Sequence, residues 1–247
     1  MASIKIFVSV RDRLRCTLHC VESLIDTSRG RADIYLFDNA SDLQLTGLLA
    51  QYNRWLEQEL LAQLVINRPA ALADAYWSKN FSWRQFLELV SILPAYEREY
   101  LVMVDNDTIA RPGWIDACLG ILHDTGAVRR NVRVVSPYDG PPDPTTDPQL
   151  FPVWESCRLG GQHVDIRPRI SSRFLFAEYD FWRQWPAPTY EKCLLDGRMK
   201  HMPTDWYYWQ RMREKDQVFA VVTPPICQDP PYRWPSARLN HGIGPDA

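Results

Sequence analysis

No run in the chain approaches the ~18 consecutive apolar residues that a bilayer-spanning helix needs, so no membrane span is expected. Neither sign of charge is in excess: 28 Lys and Arg stand against 30 Asp and Glu, leaving −2. That balance gives no sign of a surface built for nucleic acid. No C-x-x-C pair occurs. The six cysteines are scattered, with Cys16 and Cys20 at helical spacing, and read as reduced, partly buried thiols rather than disulfides or zinc ligands. The opening Met1-Ala2-Ser3-Ile4 lacks a basic segment followed by an apolar one, so the chain reads as cytoplasmic rather than secreted. Glycine is missing where two large nucleotide-binding classes require it. Ser9-Val10-Arg11-Asp12 follows the first apolar run without the G-x-G-x-x-G of a nicotinamide enzyme. The phosphate-cradling G-x-x-x-x-G-K-[ST] is absent as well.

What is present suits a folded enzyme. Hydrophobic residues make up 46% and charged residues 23% of 247, enough to bury a substantial core. The first 136 residues alternate strand and helix. Strands are expected at Ile4–Val10, Ile34–Phe37, Leu64–Ile66, Leu101–Val104 and Val132–Val135. Helices are expected at Leu14–Ile25, Leu43–Leu61, Phe81–Leu93 (stopped by Pro94) and Trp114–His123. This alternation implies an α/β fold with a mainly parallel sheet flanked by helices. Composition then shifts: six of the 16 residues from Pro137 to Pro152 are proline, which predicts a long functional or mobile loop. Beyond it, a strand at Phe174–Ala177, a helix at Asp205–Lys215 and a strand at Gln217–Val222 are expected. An irregular tail runs from Thr223 to Ala247.

The densest chemical signal is Tyr100-Leu101-Val102-Met103-Val104-Asp105-Asn106-Asp107. With 20 aspartates in the chain, roughly one or two D-x-D triplets arise by chance, so the pattern alone says little. Its setting says more. An apolar strand delivers both carboxylates to the carboxyl edge of an α/β sheet, where ligands bind in such folds, and hard oxygen ligands there suit a divalent cation shared with a diphosphate.

Three motifs in order, Ile6-Phe7-Val8-Ser9-Val10-Arg11-Asp12-Arg13, Leu36-Phe37-Asp38-Asn39-Ala40-Ser41 and Val102-Met103-Val104-Asp105-Asn106-Asp107, resemble the successive motifs of the GT-A glycosyltransferases. The large inverting family 2 is the nearest group. The likeness covers residues 4 to 136. Beyond that it rests on Thr204-Asp205-Trp206 and a tail histidine, and the chain departs from the family's usual Pro-Thr-Tyr-Asn-Arg at Ser9–Arg13. The resemblance implies a single GT-A (nucleotide-diphospho-sugar transferase) domain over 1–247. Residues 1–136 would be its nucleotide-binding half and 137–247 its acceptor-binding half and tail. It implies a metal-dependent, inverting, hexosyltransferase-like enzyme that moves a sugar from a nucleotide-diphosphate sugar to a hydroxyl. A UDP-sugar comes first among donors, with dTDP- and GDP-sugars behind it. The acceptor classes are a glycan, a lipid-linked sugar, a protein, a small molecule or a modified nucleic acid. The alternative is a non-catalytic carbohydrate- or nucleotide-sugar-binding protein of the same fold.

Carried over residue by residue, the resemblance gives Val10, Arg11 and Asp38 to the nucleotide base. Asp105 goes to the ribose or the metal's waters, and Asp107 to Mn2+ or Mg2+. His241 is the candidate third ligand and Asp205 the catalytic base. Each has a bland counterpart. Asp38 makes an Asx-turn after its strand, His241 sits solvated in a loose tail, and Asp205 complements the dipole in a helix's first turn. Arg11, Arg13 and Arg15 either approach phosphates or line an exposed helix start. Among the aromatics of the second half, Trp206 and one of Phe181 and Trp182 are expected to line an acceptor groove, with the rest in the core.

Overall fold

The computed structural model describes residues 2–11, 13–41, 47–68, 75–138, 151–185, 192–195, 198–201 and 204–230. The expected alternation is present: β1 (Ile4–Val10), α1 (Leu14–Ser28), β2 (Ala32–Asn39), α2 (Leu48–Glu57), β3 (Gln63–Asn67), α3 (Ala75–Ser91), β4 (Tyr100–Asp105), α4 (Trp114–Leu122), α5 (Thr125–Arg129) and β5 (Val132–Ser136). Helix α3 begins six residues before the expected Phe81 and ends ahead of Pro94. The amphipathic pattern from Leu43 yields a helix only from Leu48; residues 42–46 lie outside the described residues.

The second half holds more structure than its composition announces. A hairpin of β6 (Glu155–Leu159) and β7 (Gln162–Arg167) turns at Gly160 and Gly161, both at positive φ. After it come β8 (Phe174–Glu178), α6 (Tyr179–Gln184), the two-stranded β9 (Lys192–Leu195) and β10 (Arg198–His201), α7 (Thr204–Arg213) and β11 (Val218–Val222).

Among the described residues nine strands form one sheet in the order β3-β2-β1-β4-β8-β5-β11-β7-β6. Strands β3, β2, β1 and β4 are mutually parallel, as helical crossovers require. Strand β8 enters between β4 and β5 antiparallel to both, and β7 lies antiparallel to β11. The period of two along β1 sorts its side chains to two cores. Ile4, Ile6, Val8 and Val10 pack on one face with Cys20, Val21 and Leu24 of α1, Tyr52 and Trp55 of α2, and Trp114 of α4. Phe7 turns to the other face, against Trp83, Phe86 and Val90 of α3, Phe181 and Trp182 of α6, and Tyr208 and Met212 of α7. A sheet covered on both faces explains why β1 and β4 are nearly continuous apolar runs.

The chain runs from β1 outward to β2 and β3 and then returns to β4 on the far side of β1. The strand order therefore switches between β1 and β4. Outside their carboxyl ends lies the crevice where open α/β sheets bind ligands.

Candidate active site at the carboxyl edge

The parallel register brings three of the sequence-nominated positions side by side. Val10 lies opposite Asp38 on β2, and Ser9 lies opposite both Phe37 on β2 and Asp105 on β4. Val10 is fully buried, and Arg11 is half-buried at the rim.

Asp38 is completely enclosed. Its Oδ2 accepts from the Tyr52 hydroxyl at 2.7 Å, and its Oδ1 accepts from the Ser41 backbone N–H at 3.1 Å and from Arg68 at 2.8 Å. The intervening Ala40 sits at φ 61, which folds the backbone back onto the carboxylate. The turn around Asp38 is thus formed. Beside it, Asn39 donates to Ser9 Oγ at 3.2 Å and accepts from Asn67 at 3.2 Å, tying the ends of three strands together.

At the end of β4, Asp105 and Asp107 stand among cations. Lys79, near the start of α3, places its ammonium 2.5 Å from Asp105 Oδ1 and also donates to the Ser172 carbonyl at 3.0 Å. Burial pushes the Asp105 carboxyl above its ordinary pKa. The Lys79 ammonium pulls it back, and the Asp107 carboxylate pushes it up again. Arg13 spans the crevice from the β1 side to Asp107 Oδ2 at 3.1 Å. That reach rests on a left-handed backbone at Arg13 itself, φ 56, just before α1. The intervening Asn106 turns away and donates to Thr17 of α1 at 2.8 Å.

Arg173, just before β8, closes the ring. Its backbone carbonyl accepts from the Asp105 N–H at 2.8 Å, and its guanidinium meets Asp229 at 2.7 Å and the Tyr138 hydroxyl at 2.9 Å. Burial works against this cation, but the surrounding Asp107, Tyr138, Asp229 and Asp105 raise its pKa above the ordinary value. The start of the tail is docked here: Gln228 bridges to Ile109, and Cys227 bridges to Tyr138. His241 and residues 139–150 of the proline-rich loop lie outside the described residues.

The pair of aspartates fits a hard divalent cation. Asp107 Oδ1 is buried and has no hydrogen-bond partner among the described residues. A buried carboxylate oxygen without a donor is costly unless a cation or water meets it. Among the described residues no group of three or more His, Cys, Asp and Glu is gathered, so a cation held here would draw further oxygens from a diphosphate.

Asp205 lies in the first turn of α7, its side chain 18% exposed and 3.9 Å from the Arg169 guanidinium. Helix α3 links it to the two aspartates. Lys79 meets Asp105, and the next residue, Asn80, accepts from the buried Thr204 hydroxyl at 2.7 Å, one position before Asp205. Trp206 is half-buried beside it, packed edge-on against Trp209. Phe181 and Trp182 are not at this surface: both are fully buried, and the Trp182 indole donates to the Leu101 carbonyl within the core. The expectation that one of them lines an acceptor groove is corrected, because α6 follows β8 directly and turns both rings onto the sheet.

Sequence reading missed Lys79, Arg173, Arg68 and Arg169. Lys79 falls two residues outside the helix the periodicity predicted. The three arginines sit in connections whose placement only the sheet order reveals.

No family model and no curated relative matches the chain. Solved structures do. The mannosyltransferase PcManGT from Pyrobaculum calidifontis, in complex with GDP-Man and Mn2+, aligns at a TM-score of 0.51 and 13% identity, over 88% of this chain and 56% of its own. GalNAc-T7 with UDP, GalNAc and Mn2+ aligns at 0.58 and 10% identity, over 92% and 43%. TarS from S. aureus, in complex with UDP, aligns at 0.51 and 11% identity, over 89% and 57%. The chain thus spans between two fifths and three fifths of each of these proteins' lengths. Likeness at such identities concerns the fold: a large sheet flanked by helices, arranged as in GT-A-type glycosyltransferases.

Proposed function

We propose that the chain is a metal-dependent glycosyltransferase that moves a sugar from a nucleoside-diphosphate sugar, a UDP-sugar first, to a hydroxyl acceptor with inversion. Residues 1–136 form its nucleotide-binding half and 137–247 its acceptor half, within one domain. The observation that carries this reading is the ring of charge at the switch point. Two carboxylates, one with an orphaned buried oxygen, stand among Arg13, Lys79 and Arg173. Carboxylates to hold a cation and cations to hold phosphate oxygens suit a metal-bound diphosphate and few other ligands.

In this reading the base lies against Val10 and Arg11, with Asp38 accepting the ring N–H of a uracil. A carboxylate offers about four acceptor sites and three are used internally; because Asp38 is enclosed, the base would reach it by displacing the more exposed Arg68. Asp107 and Asp105 hold Mn2+ or Mg2+, and His241 of the tail completes the set. When bound, the ion supplies charge neutralisation to the leaving diphosphate. Arg13, Arg173 and Lys79 add fixed positive charge at the same place.

Asp205 takes the proton from the acceptor hydroxyl as that oxygen attacks the anomeric carbon, opposite the breaking bond to the diphosphate. Arg169, 3.9 Å away, sets a positive charge beside the Asp205 carboxylate. A single displacement of this kind inverts the anomeric centre.

The test is turnover of UDP-sugars, to acceptor or to water, with Mn2+ and after EDTA, in the native chain and in Asp205→Asn. Asparagine keeps the size and a helix-capping oxygen but accepts no proton. Transfer should fall roughly 10²–10⁴-fold, the span of general base catalysis, with the fold and donor affinity retained. Native turnover in Asp205→Asn removes the base assignment. Failure of the native chain to turn over any nucleotide sugar leaves the binding-protein alternative.

A further inference from the structure

Helix α7 presents a second stripe that the core does not use. Tyr208 and Met212 bury one face against the sheet. Trp206, Trp209 and Arg213, at spacings of three and four, lie on another. They form one wall of a cavity of about 460 Å³, whose other walls include Trp154 before β6, Arg169 after β7 and Asp216 before β11. The volume is within the usual range for ligand pockets. Strand β11 runs parallel to β5, and β5 shares the direction of β4 through two antiparallel steps over β8. Asp216 therefore lies toward the edge of the sheet opposite Asp105. The groove descends the flank of α7 from the neighbourhood of Asp205 toward that opposite edge.

We propose that this groove is a glycan-binding subsite, taking the sugar units of the acceptor that lie beyond the one whose hydroxyl is glycosylated. The inference rests on the glycosyltransferase reading above and adds the acceptor's chemical class. Three features carry it.

The first is aromatic. Trp154 is 63% exposed, an unusual cost for an indole unless something covers it, and Trp206 and Trp209 stand with ring centroids 5.0 Å apart. Indole faces match the C–H faces of pyranose rings.

The second feature is polar. The Arg169 guanidinium lies 4.9 Å from the Trp206 ring centre and 5.6 Å from that of Trp209, yet its Nε is buried and has no acceptor among the described residues. A sugar hydroxyl can accept from the guanidinium where Arg169 lines the cavity.

The third is connectivity. Arg169 also reaches Asp205, so one side chain spans from the groove to the proposed base. An extended acceptor threaded along α7 would hold its terminal hydroxyl near that carboxylate.

Single-stranded nucleic acid also stacks on aromatics, but it needs a cationic track. Here Arg169 is offset by Asp205, Asp216 shares the lining with Arg213, and the chain carries −2 overall.

The experiment titrates the intact protein with cello-, manno- and xylo-oligosaccharides and with a single-stranded oligonucleotide. Tryptophan fluorescence follows binding in the native chain, Trp154→Ala and Trp209→Ala, and UDP-sugar hydrolysis is measured in parallel. The expected result is saturable binding of at least one oligosaccharide series, tighter for longer chains, and weakened roughly three- to tenfold by either substitution. UDP-sugar hydrolysis should stay at the native rate in Trp154→Ala. Hydrolysis without any oligosaccharide response overturns the glycan subsite and leaves the transferase reading standing. Binding of the oligonucleotide alone overturns the choice of ligand class. Oligosaccharide binding without hydrolysis keeps the groove and removes the transferase reading. Oligosaccharide binding untouched by either tryptophan substitution places the site elsewhere and overturns the inference.

Discussion

Replacing Asp38 by alanine removes the buried carboxylate that accepts from the Tyr52 hydroxyl, the Ser41 N–H and Arg68. Losing a hydrogen bond to a charged group costs about 1.5–3 kcal/mol, and at this chain length each kcal/mol lowers Tm by roughly 2–4 °C. Asp38→Ala is therefore expected to melt several degrees early. Tyr52→Phe takes the donor away as well as the bond and should cost less. Adding Tyr52→Phe to Asp38→Ala should recover part of the loss in a double-mutant cycle. An unchanged Tm in Asp38→Ala contradicts this account of the turn. Asp38 is legible in the sequence as the residue ending a strand, where it suits both base binding and an Asx-turn. Its enclosure by Tyr52 and Arg68 is not, because neither partner lies within ten residues of it. The same holds at Asp107, whose partner Arg13 comes from 94 residues earlier.

Among the elements, apolar runs and helical periodicity located every strand and helix from β1 to α4, the strand ends to within two residues and the helix ends to within six. The β6–β7 hairpin escaped notice because it lies at the edge of the sheet. β6 is mostly exposed and shows no clean alternation. The available signal was Gly160-Gly161, a dipeptide suited to a tight hairpin turn. Gly160 is also where the hairpin meets α4: a Cβ there would overlap the backbone of Gly120, and the residue already sits at φ 54. Its N–H donates at 2.8 Å to the carboxylate of Asp124, the residue that caps α5, which ties the turn to the start of that helix. Gly160→Ala is expected to destabilise by more than about 1 kcal/mol, read as a lowered Tm or urea midpoint. Gly161→Ala, which meets open space but shares a positive φ, should cost less. Equal stability of Gly160→Ala and the native chain would mean that the hairpin does not pack on α4 as described.

Across the whole molecule, the strand order reverses between the parallel neighbours β1 and β4, and the chain's most informative motif ends β4 at that point. The D-x-D pattern, the strand before it and the order of the three motifs were readable from sequence. Of the cations around it, Arg13 was a candidate from sequence, whereas Lys79 near the start of α3 and Arg173 before β8 were not, because they converge on the motif only once the strands have taken their order. Trp206 is half-buried at the surface, whereas Phe181 and Trp182 went to the core. Nothing in the local sequence Tyr179-Asp180-Phe181-Trp182 distinguishes a groove-lining ring from a packed one.

The central claim, that this crevice binds a metal-bound nucleoside diphosphate through Asp107, is tested most directly by calorimetric titration of UDP. Three conditions decide it: the native chain with Mn2+, the native chain with EDTA, and Asp107→Ala with Mn2+. The account predicts saturable binding in the first, with affinity lowered at least roughly tenfold in each of the others, as expected when a charge-assisted contact is lost. Equal affinity in all three would contradict it.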